Sequence, residues 1–157
     1  MTSGHYTPET FTARNAVGYL LRCTLNLMQP RMEALFTDHE FTFVPWCVLM
    51  QLRDGLANRA ADISRNLNHD SGALTRVVDQ LEGRGLLERT RSTEDRRIVE
   101  LALTPEGRRA VDASIPLVVD HINRVLADFS REEIDMMVSM LKRMIDKLQD
   151  GETERQP

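Results

Sequence analysis

Aromatic residues and cysteines are scarce in this chain, and their scarcity excludes several classes of protein. Only 5% of the 157 residues are aromatic, and two are cysteines. Cys23 and Cys47 lack the C-x-x-C or Cys/His spacing that a zinc site requires. No apolar run approaches the roughly 18 residues of a membrane span, and the polar N-terminus does not resemble a signal peptide. The sequence therefore predicts a cytoplasmic protein with no metal, no cofactor and two buried thiols.

Motifs typical of enzymes are also missing. The sequence contains no phosphate-binding glycine loop, no metal-ligand spacing and no Ser/His/Asp set with supporting context. Because catalysis needs a convergent polar constellation of this kind, we expect a binding protein rather than an enzyme.

Charge is distributed unevenly along a chain whose net charge is −4. Residues 58–109 contain ten arginines and nine acidic residues. Because the whole chain has 20 basic and 24 acidic residues, the remaining segments contain ten basic and fifteen acidic residues. Five arginines fall within residues 84–97. Because electric fields are screened beyond about 8–10 Å, contact with phosphates needs only such a local positive patch. By charge alone, a solvated surface of mixed charge explains this segment equally well.

Apolar residues recur at three- and four-residue spacing in the first third of the chain, which predicts two helices. The first is expected over residues 10–36, with a kink or break near Gln29 because Pro30 falls inside it. Thr42 is a suitable cap for the second helix, which is expected to end before Gly55.

The middle of the chain predicts a pair of short helices. A helix over residues 59–67 and a polar turn at residues 68–70 precede a second helix that ends near Gly83. Asp70 or Ser71 is expected to cap this second helix. An apolar stripe on the second helix is expected to face the core: Leu74, Val78 and Leu81.

The outward face of that second helix carries candidate contacts to DNA: Ser71, Gly72, Thr75 and Arg76. A recognition helix inserts its N-terminal half into the major groove, where Arg76 suits a bidentate contact with guanine. Ser71 and Thr75 suit phosphates or base edges, and Gly72 allows the backbone to approach closely. Taken without the hairpin, these residues are better explained as an ordinary exposed helix with one arginine.

A hairpin tipped with arginines follows the helix pair. Residues 86–90 and 98–103 alternate apolar and polar, as half-buried strands do. Arg96 and Arg97 lie in the polar loop between them, and a planar, weakly hydrated guanidinium suits the narrow minor groove. The preceding carboxylate of Asp95 is expected to hold an arginine extended. A self-neutralising turn remains an alternative for the loop, but a winged helix used only for protein contact would lack the tip arginines.

The last third of the chain predicts two long helices. Residues 104–106 combine a capping hydroxyl, a proline and an acid, and begin a helix that runs through Ala127 with a bend near Pro116. A capping box at residues 130–133 opens the last helix. An apolar stripe follows: Ile134, Met137, Met140, Leu141, Met144 and Leu148.

These elements predict a mainly α fold with a small β-hairpin wing, in which a winged helix-turn-helix is joined to a helical dimerisation region. A homodimer is expected because the small winged unit cannot cover the long apolar stripes of the terminal helices. The expected segments are a flexible arm at 1–9, a helical dimerisation region at 10–41 and 108–150, a DNA-binding unit at 42–107 and a flexible tail at 151–157.

Several stretches of the chain resemble the MarR/SlyA family of bacterial transcription regulators. The first is the T-x-x-P-W-x-V-L segment from Thr42 to Leu49. The second is the run Asp70-Ser71-Gly72-Ala73-Leu74-Thr75-Arg76, followed by Leu81, Gly85 and Leu86-Leu87-Glu88-Arg89. The third is Asp95-Arg96-Arg97 placed ahead of Leu103-Thr104-Pro105-Glu106-Gly107. The resemblance implies a homodimer, most often a repressor, that straddles a pseudo-palindromic operator. It further implies that Arg97 enters the minor groove, that Asp95 orients it, and that Thr75 and Arg76 lie in the major groove.

The resemblance also implies a response to a small aromatic acid, an acyl thioester or an oxidant. Candidate residues for an anionic aromatic effector are Tyr19, Arg22, Trp46, Met50 and His121. Arg22 is a cation suited to a carboxylate. Trp46 and Met50, four residues apart, are better explained as ordinary core residues. Arg22 is also explained by pairing with an acid of a partner chain.

Oxidant sensing through Cys23 or Cys47 is the alternative. Peroxide-sensing members of the family resemble one another in a cysteine on the first helix and two tyrosines that polarise it. In this chain the cysteine would fall near Tyr19, and the two tyrosines near Glu33 and Val44. None of the three positions matches the pattern. The effector hypothesis is therefore preferred, with thiol sensing kept as the second possibility.

Overall fold

The computed structural model describes residues 4–92, 95 and 97–153, with side chains up to residue 150. Six helices and one antiparallel hairpin occur in this part of the chain: α1 (Val17–Leu35), α2 (Phe43–Arg53), α3 (Ala60–Asn66), α4 (Ser71–Gly83), β1 (Leu87–Arg91), β2 (Val99–Leu103), α5 (Pro105–Val125) and α6 (Arg131–Thr153). The predicted mainly helical fold with a β-hairpin wing is confirmed. None of the described helices is long and apolar enough to cross a membrane.

The first helix begins at Val17, seven residues later than its periodicity predicts. The Asn15 side chain accepts a hydrogen bond from the Thr12 backbone N–H at 3.0 Å and donates one to the Thr10 carbonyl at 2.9 Å. The Tyr6 hydroxyl donates to the Asn15 carbonyl at 2.9 Å. These side-chain bonds compete with the helical pattern and hold residues 7–15 in turns.

Pro30 and Pro116 lie inside helices that continue past them. The break that Pro30 predicts near Gln29 does not occur, because α1 remains helical to Leu35. Thr42 occupies the cap position of α2 in an extended conformation, but its side chain makes no capping hydrogen bond.

The chain divides into two compact units, Met1–Val118 and Val119–Pro157. The core of the first unit is formed by large side chains that are almost fully buried: Phe36, Val48, Leu49, Ile63, Leu74, Val78, Leu81, Leu86, Leu87 and Val111. The three apolar positions predicted for α4 all lie in this core. At the N-terminus of α4, the Asp70 carboxylate accepts the Ala73 backbone N–H at 2.8 Å, as the cap prediction requires.

The two strands of the hairpin pair antiparallel, with Arg89 of β1 opposite Leu101 of β2. The Leu101 backbone N–H also donates to the Asn58 carbonyl at 2.7 Å, so β2 is bonded to the segment that precedes α3. At the base of the hairpin, the Thr104 hydroxyl donates to the Gly85 carbonyl at 2.6 Å and accepts the Gly107 backbone N–H at 3.0 Å. The hairpin is thereby joined to the end of α4 and to the beginning of α5.

Gly107 is required by the approach of α5 to the turn after α4. A Cβ atom built at this position would lie 1.8 Å from the Leu86 carbonyl oxygen and 3.2 Å from Cδ2 of Leu103. The same Leu86 carbonyl accepts the Thr104 backbone N–H at 3.2 Å, so it cannot move away without loss of that bond.

In the second unit, the capping box predicted for α6 is confirmed. The Ser130 backbone N–H donates to Oε2 of Glu133 at 2.7 Å, and the Glu133 backbone N–H donates to Oγ of Ser130 at 3.2 Å. No described residue of α6 is buried, and large apolar side chains of this helix are exposed by 37% to 70%: Met136, Met137, Val138, Met140, Met144, Ile145 and Leu148.

We expect Gly107→Ala to lower the free energy of unfolding by about 2–3 kcal/mol, because the added methyl group forces α5 away from the Leu86 carbonyl. Gly83→Ala is the matched control. It adds a methyl group at a helical glycine with nothing within 4 Å of the new atom, so it should raise stability by up to about 1 kcal/mol. Urea unfolding of both variants measures the difference, and equal stabilities would contradict the packing argument.

Candidate nucleic-acid interface

The N-terminal half of α4 presents its predicted contact residues to solvent. Ser71, Gly72, Thr75 and Arg76 are all exposed. The Thr75 hydroxyl donates to the Ser71 carbonyl at 2.8 Å, which leaves its oxygen lone pairs available as acceptors. The Arg76 side chain makes no hydrogen bond or ion pair with any described residue. This arginine is therefore free to bind an external acceptor without breaking an internal contact.

Gly72 has a packing reason in addition to the close approach predicted for it. A Cβ atom at this position would lie 3.2 Å from Oδ1 of Asp70, the oxygen that caps α4. A side chain here would therefore crowd the carboxylate that caps α4.

The hairpin tip is shaped by Asp95, in a different way from that predicted. Its Oδ1 accepts the Arg97 backbone N–H at 2.9 Å, and its carbonyl accepts the Ile98 backbone N–H at 2.9 Å. Asp95 thus holds the backbone of the turn, while the guanidinium of Arg97 is exposed and makes no ion pair within the described part of the chain. Arg96, also predicted to contact DNA, lies outside the described residues.

Arg89, in the middle of β1, bridges the hairpin to α4, a role that the sequence analysis did not assign to it. Its Nη2 lies 2.5 Å from Oδ1 of Asp79, and its Nη1 forms a second ion pair with Glu82. The hydrogen bond to Asp79, followed by that to Glu82, raises the pKa of Arg89 above its usual value. The signal in the sequence is two acids three residues apart on the helix, followed by an arginine on the next strand.

Trp46, predicted to line an effector site, is integrated into the core of the first unit. Its Nε1 donates to Oγ of Ser114 on α5 at 2.8 Å. Its ring centroid lies 5.3 Å from that of Phe36 and 5.9 Å from that of Phe43. The core interpretation of Trp46 is therefore strengthened, and its polar atom already has a partner.

The other predicted effector residues are not joined to Trp46 or to one another by any described hydrogen bond, ion pair or ring contact. Tyr19 and Arg22 are exposed on α1, and Met50 is half-buried on α2. His121 belongs to the second unit, where its Nε2 is buried and has no hydrogen-bond partner among the described residues.

The two cysteines are free thiols in different surroundings. Burial raises the pKa of the Cys47 thiol to about 12, so the reactive thiolate is scarce at neutral pH. Cys23 lies one helical turn after Tyr19, and a hydrogen bond with Cys23 raises the pKa of the Tyr19 hydroxyl. Of the two, Cys23 has the surroundings better suited to redox chemistry.

Comparison with known proteins relates this geometry to one family. Residues 43–99 match the model of the MarR family. The HTH-type transcriptional regulator YdgJ of Bacillus subtilis is 36% identical over 84 residues, 54% of this chain and about half (51%) of the length of YdgJ. YkoM, an HTH-type transcriptional regulator of the same organism, is 30% identical over 106 residues, which cover 68% of this chain and 69% of YkoM.

A solved structure shares both fold and sequence with this chain. It is that of Bordetella bronchiseptica BpsR, whose DNA binding is regulated by 6-hydroxynicotinic acid. The two are 26% identical with a TM-score of 0.69, and the match covers 87% of this chain and 97% of BpsR.

We expect the Cys47 thiol to resist alkylation in the folded protein near neutral pH. The raised pKa means that the thiol keeps its proton until the pH approaches about 12. A Cys23→Ser variant, in which Cys47 is the remaining thiol, should react with iodoacetamide far more slowly when folded than in denaturant at about pH 8. Mass spectrometry over time gives both rates, and equal rates would show that burial does not protect Cys47.

Proposed function

The chain belongs to the MarR family of DNA-binding transcription regulators, and on this premise we propose that it is a repressor that binds a pseudo-palindromic operator as a homodimer and leaves it when a small aromatic acid or acyl thioester binds. The observation that carries the proposal is the pair of exposed guanidinium groups of Arg76 and Arg97, neither of which makes an ion pair with any described residue. One lies on the outward face of α4 and the other at the hairpin tip, the two elements with which a winged helix-turn-helix contacts DNA.

In this proposal, α4 enters the major groove and the hairpin enters the minor groove. Arg76 donates two hydrogen bonds to guanine, and the Thr75 hydroxyl oxygen accepts one from a neighbouring base. Ser71 binds a backbone phosphate near the beginning of α4. Arg97 occupies the minor groove, where electronegative potential favours a guanidinium. Asp95 acts by fixing the turn that presents Arg97, and we keep Arg96 as a further contact.

Dimerisation is supported by the apolar surface that one chain leaves exposed. No described residue of α6 is buried, and large apolar side chains of α1 are exposed as well: Val17, Tyr19, Leu20, Leu25 and Leu27. Exposed surface of this extent is typical of an interface. We propose that residues 10–41 and 108–150 of two copies cover one another, with two winged units that contact half-sites about 10 bp apart.

For the effector we propose an anionic aromatic acid whose carboxylate pairs with Arg22. Arg22 is exposed and has no partner among the described residues. BpsR, which shares 26% of its residues with this chain, responds to an acid of this class. Tyr19, Trp46, Met50 and His121 are the further residues that we propose around the ring.

Thiol sensing remains the second candidate, and one contact favours it. Cys23 lies one helical turn after Tyr19 on α1, and its side chain raises the pKa of the Tyr19 hydroxyl. Cys47 is disfavoured because burial keeps it protonated. A redox response would therefore act through Cys23.

We expect Arg97→Ala to weaken binding to a duplex that the wild-type protein selects from a random-sequence pool, by on the order of 1–3 kcal/mol at fixed salt. The fold should be unaffected, because the side chain is exposed. Fluorescence anisotropy measures affinity, and sedimentation should find two chains per duplex. Arg131→Gln is the control, since it removes an arginine–carboxylate pair with Asp135 in α6 and leaves α4 and the hairpin unchanged.

Unchanged affinity of Arg97→Ala would remove the wing from the proposed interface. A complex with one chain per duplex, from a protein that sediments as a monomer, would contradict the dimer.

We expect 6-hydroxynicotinic acid to change the fluorescence of Trp46, the single tryptophan, and to lower affinity for the selected duplex. Linkage requires that DNA weaken acid binding by the same factor. Arg22→Ala should weaken acid binding about tenfold, as loss of one charged hydrogen bond does, whereas Arg31→Ala on the same helix should not. If the acid has no effect while peroxide releases the DNA, and a Cys23→Ser variant resists peroxide, thiol sensing replaces the effector proposal.

A further inference from the structure

Recognition of two grooves at once requires a fixed angle between α4 and the hairpin, and the chain between them is short. Only residues 84–86 separate α4 from β1, and Gly85 adopts a positive φ of 71° that suits a sharp turn. The turn brings the hairpin back beside α4, but it does not by itself fix the angle between the strands and the helix. Other contacts must fix that angle.

Arg89 supplies a contact of this kind at a distance from the turn. Asp79 and Glu82 lie three residues apart and therefore on neighbouring positions of the same side of α4. The Arg89 guanidinium reaches both carboxylates, and the Arg89 backbone N–H also donates to Oε1 of Glu82 at 3.3 Å. One residue in mid-strand is thus bonded through side chain and backbone to the helix. The planar guanidinium is suited to two carboxylates at once, as an ammonium group is not.

The exposure of this cluster determines what it contributes. The Arg89 side chain is 30% exposed and that of Asp79 is 59% exposed. Ion pairs that water reaches add little to stability, with a median below about 1 kcal/mol. By contrast, if α4 and the hairpin are already held rigidly relative to each other, less conformational entropy is lost when both must fit one DNA duplex. The cluster is therefore better suited to orienting the hairpin than to stabilising the fold.

We propose that Arg89 is a positioning residue for DNA recognition, which holds the hairpin against Asp79 and Glu82 so that Arg97 reaches the minor groove while α4 occupies the major groove. The inference rests on the proposed function and adds to it a residue that contacts no DNA itself.

A double-mutant cycle between Arg89 and Arg97 tests the proposal. Arg89→Gln should weaken binding to the selected duplex about tenfold in the wild-type background. In the Arg97→Ala background it should cause almost no further loss, because the group that it positions is absent. Arg89→Lys should bind nearly as weakly as Arg89→Gln, since lysine keeps the charge but cannot bridge both carboxylates. Arg131→Gln should bind as the wild type does in both backgrounds.

Each result has a distinct meaning. Independent, additive losses from Arg89→Gln and Arg97→Ala would overturn the positioning role and leave the proposed wing contact in place. Full affinity of Arg89→Lys would show that charge alone matters and would also overturn it. No loss from Arg97→Ala itself would overturn both the wing contact and this inference. Circular dichroism melts check folding, and if Arg89→Gln does not fold, Arg89→Lys takes its place in the cycle.

Discussion

The close approach of α5 to the turn after α4 is the constraint on which the winged unit depends. Gly107 allows the backbone of α5 to touch the Leu86 carbonyl, and Thr104 donates to and accepts from backbone groups on both sides of this contact. The end of α4, the base of the hairpin and the beginning of α5 therefore come together within a few residues. A change at this point would alter the placement of all three elements together, whereas a change at the hairpin tip would alter only the tip.

Much of the fold follows from local signals in the sequence. The spacing of Leu74, Val78 and Leu81 predicts the buried side of α4, and the Ser130–Glu133 capping box predicts the beginning of α6, because both depend on neighbours within one or two helical turns. The resemblance in residues 42–107 predicts the family that the match over residues 43–99 confirms. The predicted beginning of α1 was wrong because the Asn15 side chain forms hydrogen bonds with the segment before it. The spacing of apolar residues carries no information about such side-chain bonds.

The candidate site is less accessible to sequence reasoning, since its contacts join separate elements. The exposure of Arg76 and Arg97 could be expected from their positions, but the partner of Asp95 could not. Its carboxylate could bind either a side chain or the backbone, and the turn geometry decides for the backbone N–H of Arg97. The bridging role of Arg89 was missed because its two acids belong to another element. Trp46 was placed among the effector residues, yet Ser114 on α5 occupies its N–H.

The lack of any buried residue among those described in α6 has a thermodynamic consequence. Most of the stability of a helix in a protein comes from the packing of its apolar face, so the persistence of α6 depends on whatever covers its apolar side chains. If a second copy of the chain covers them, the stability of α6 increases with protein concentration by mass action. Residues up to Val118 have a core of their own and do not share this dependence. On dilution the melting curve should then separate into two transitions, and only the one for α6 should move with concentration.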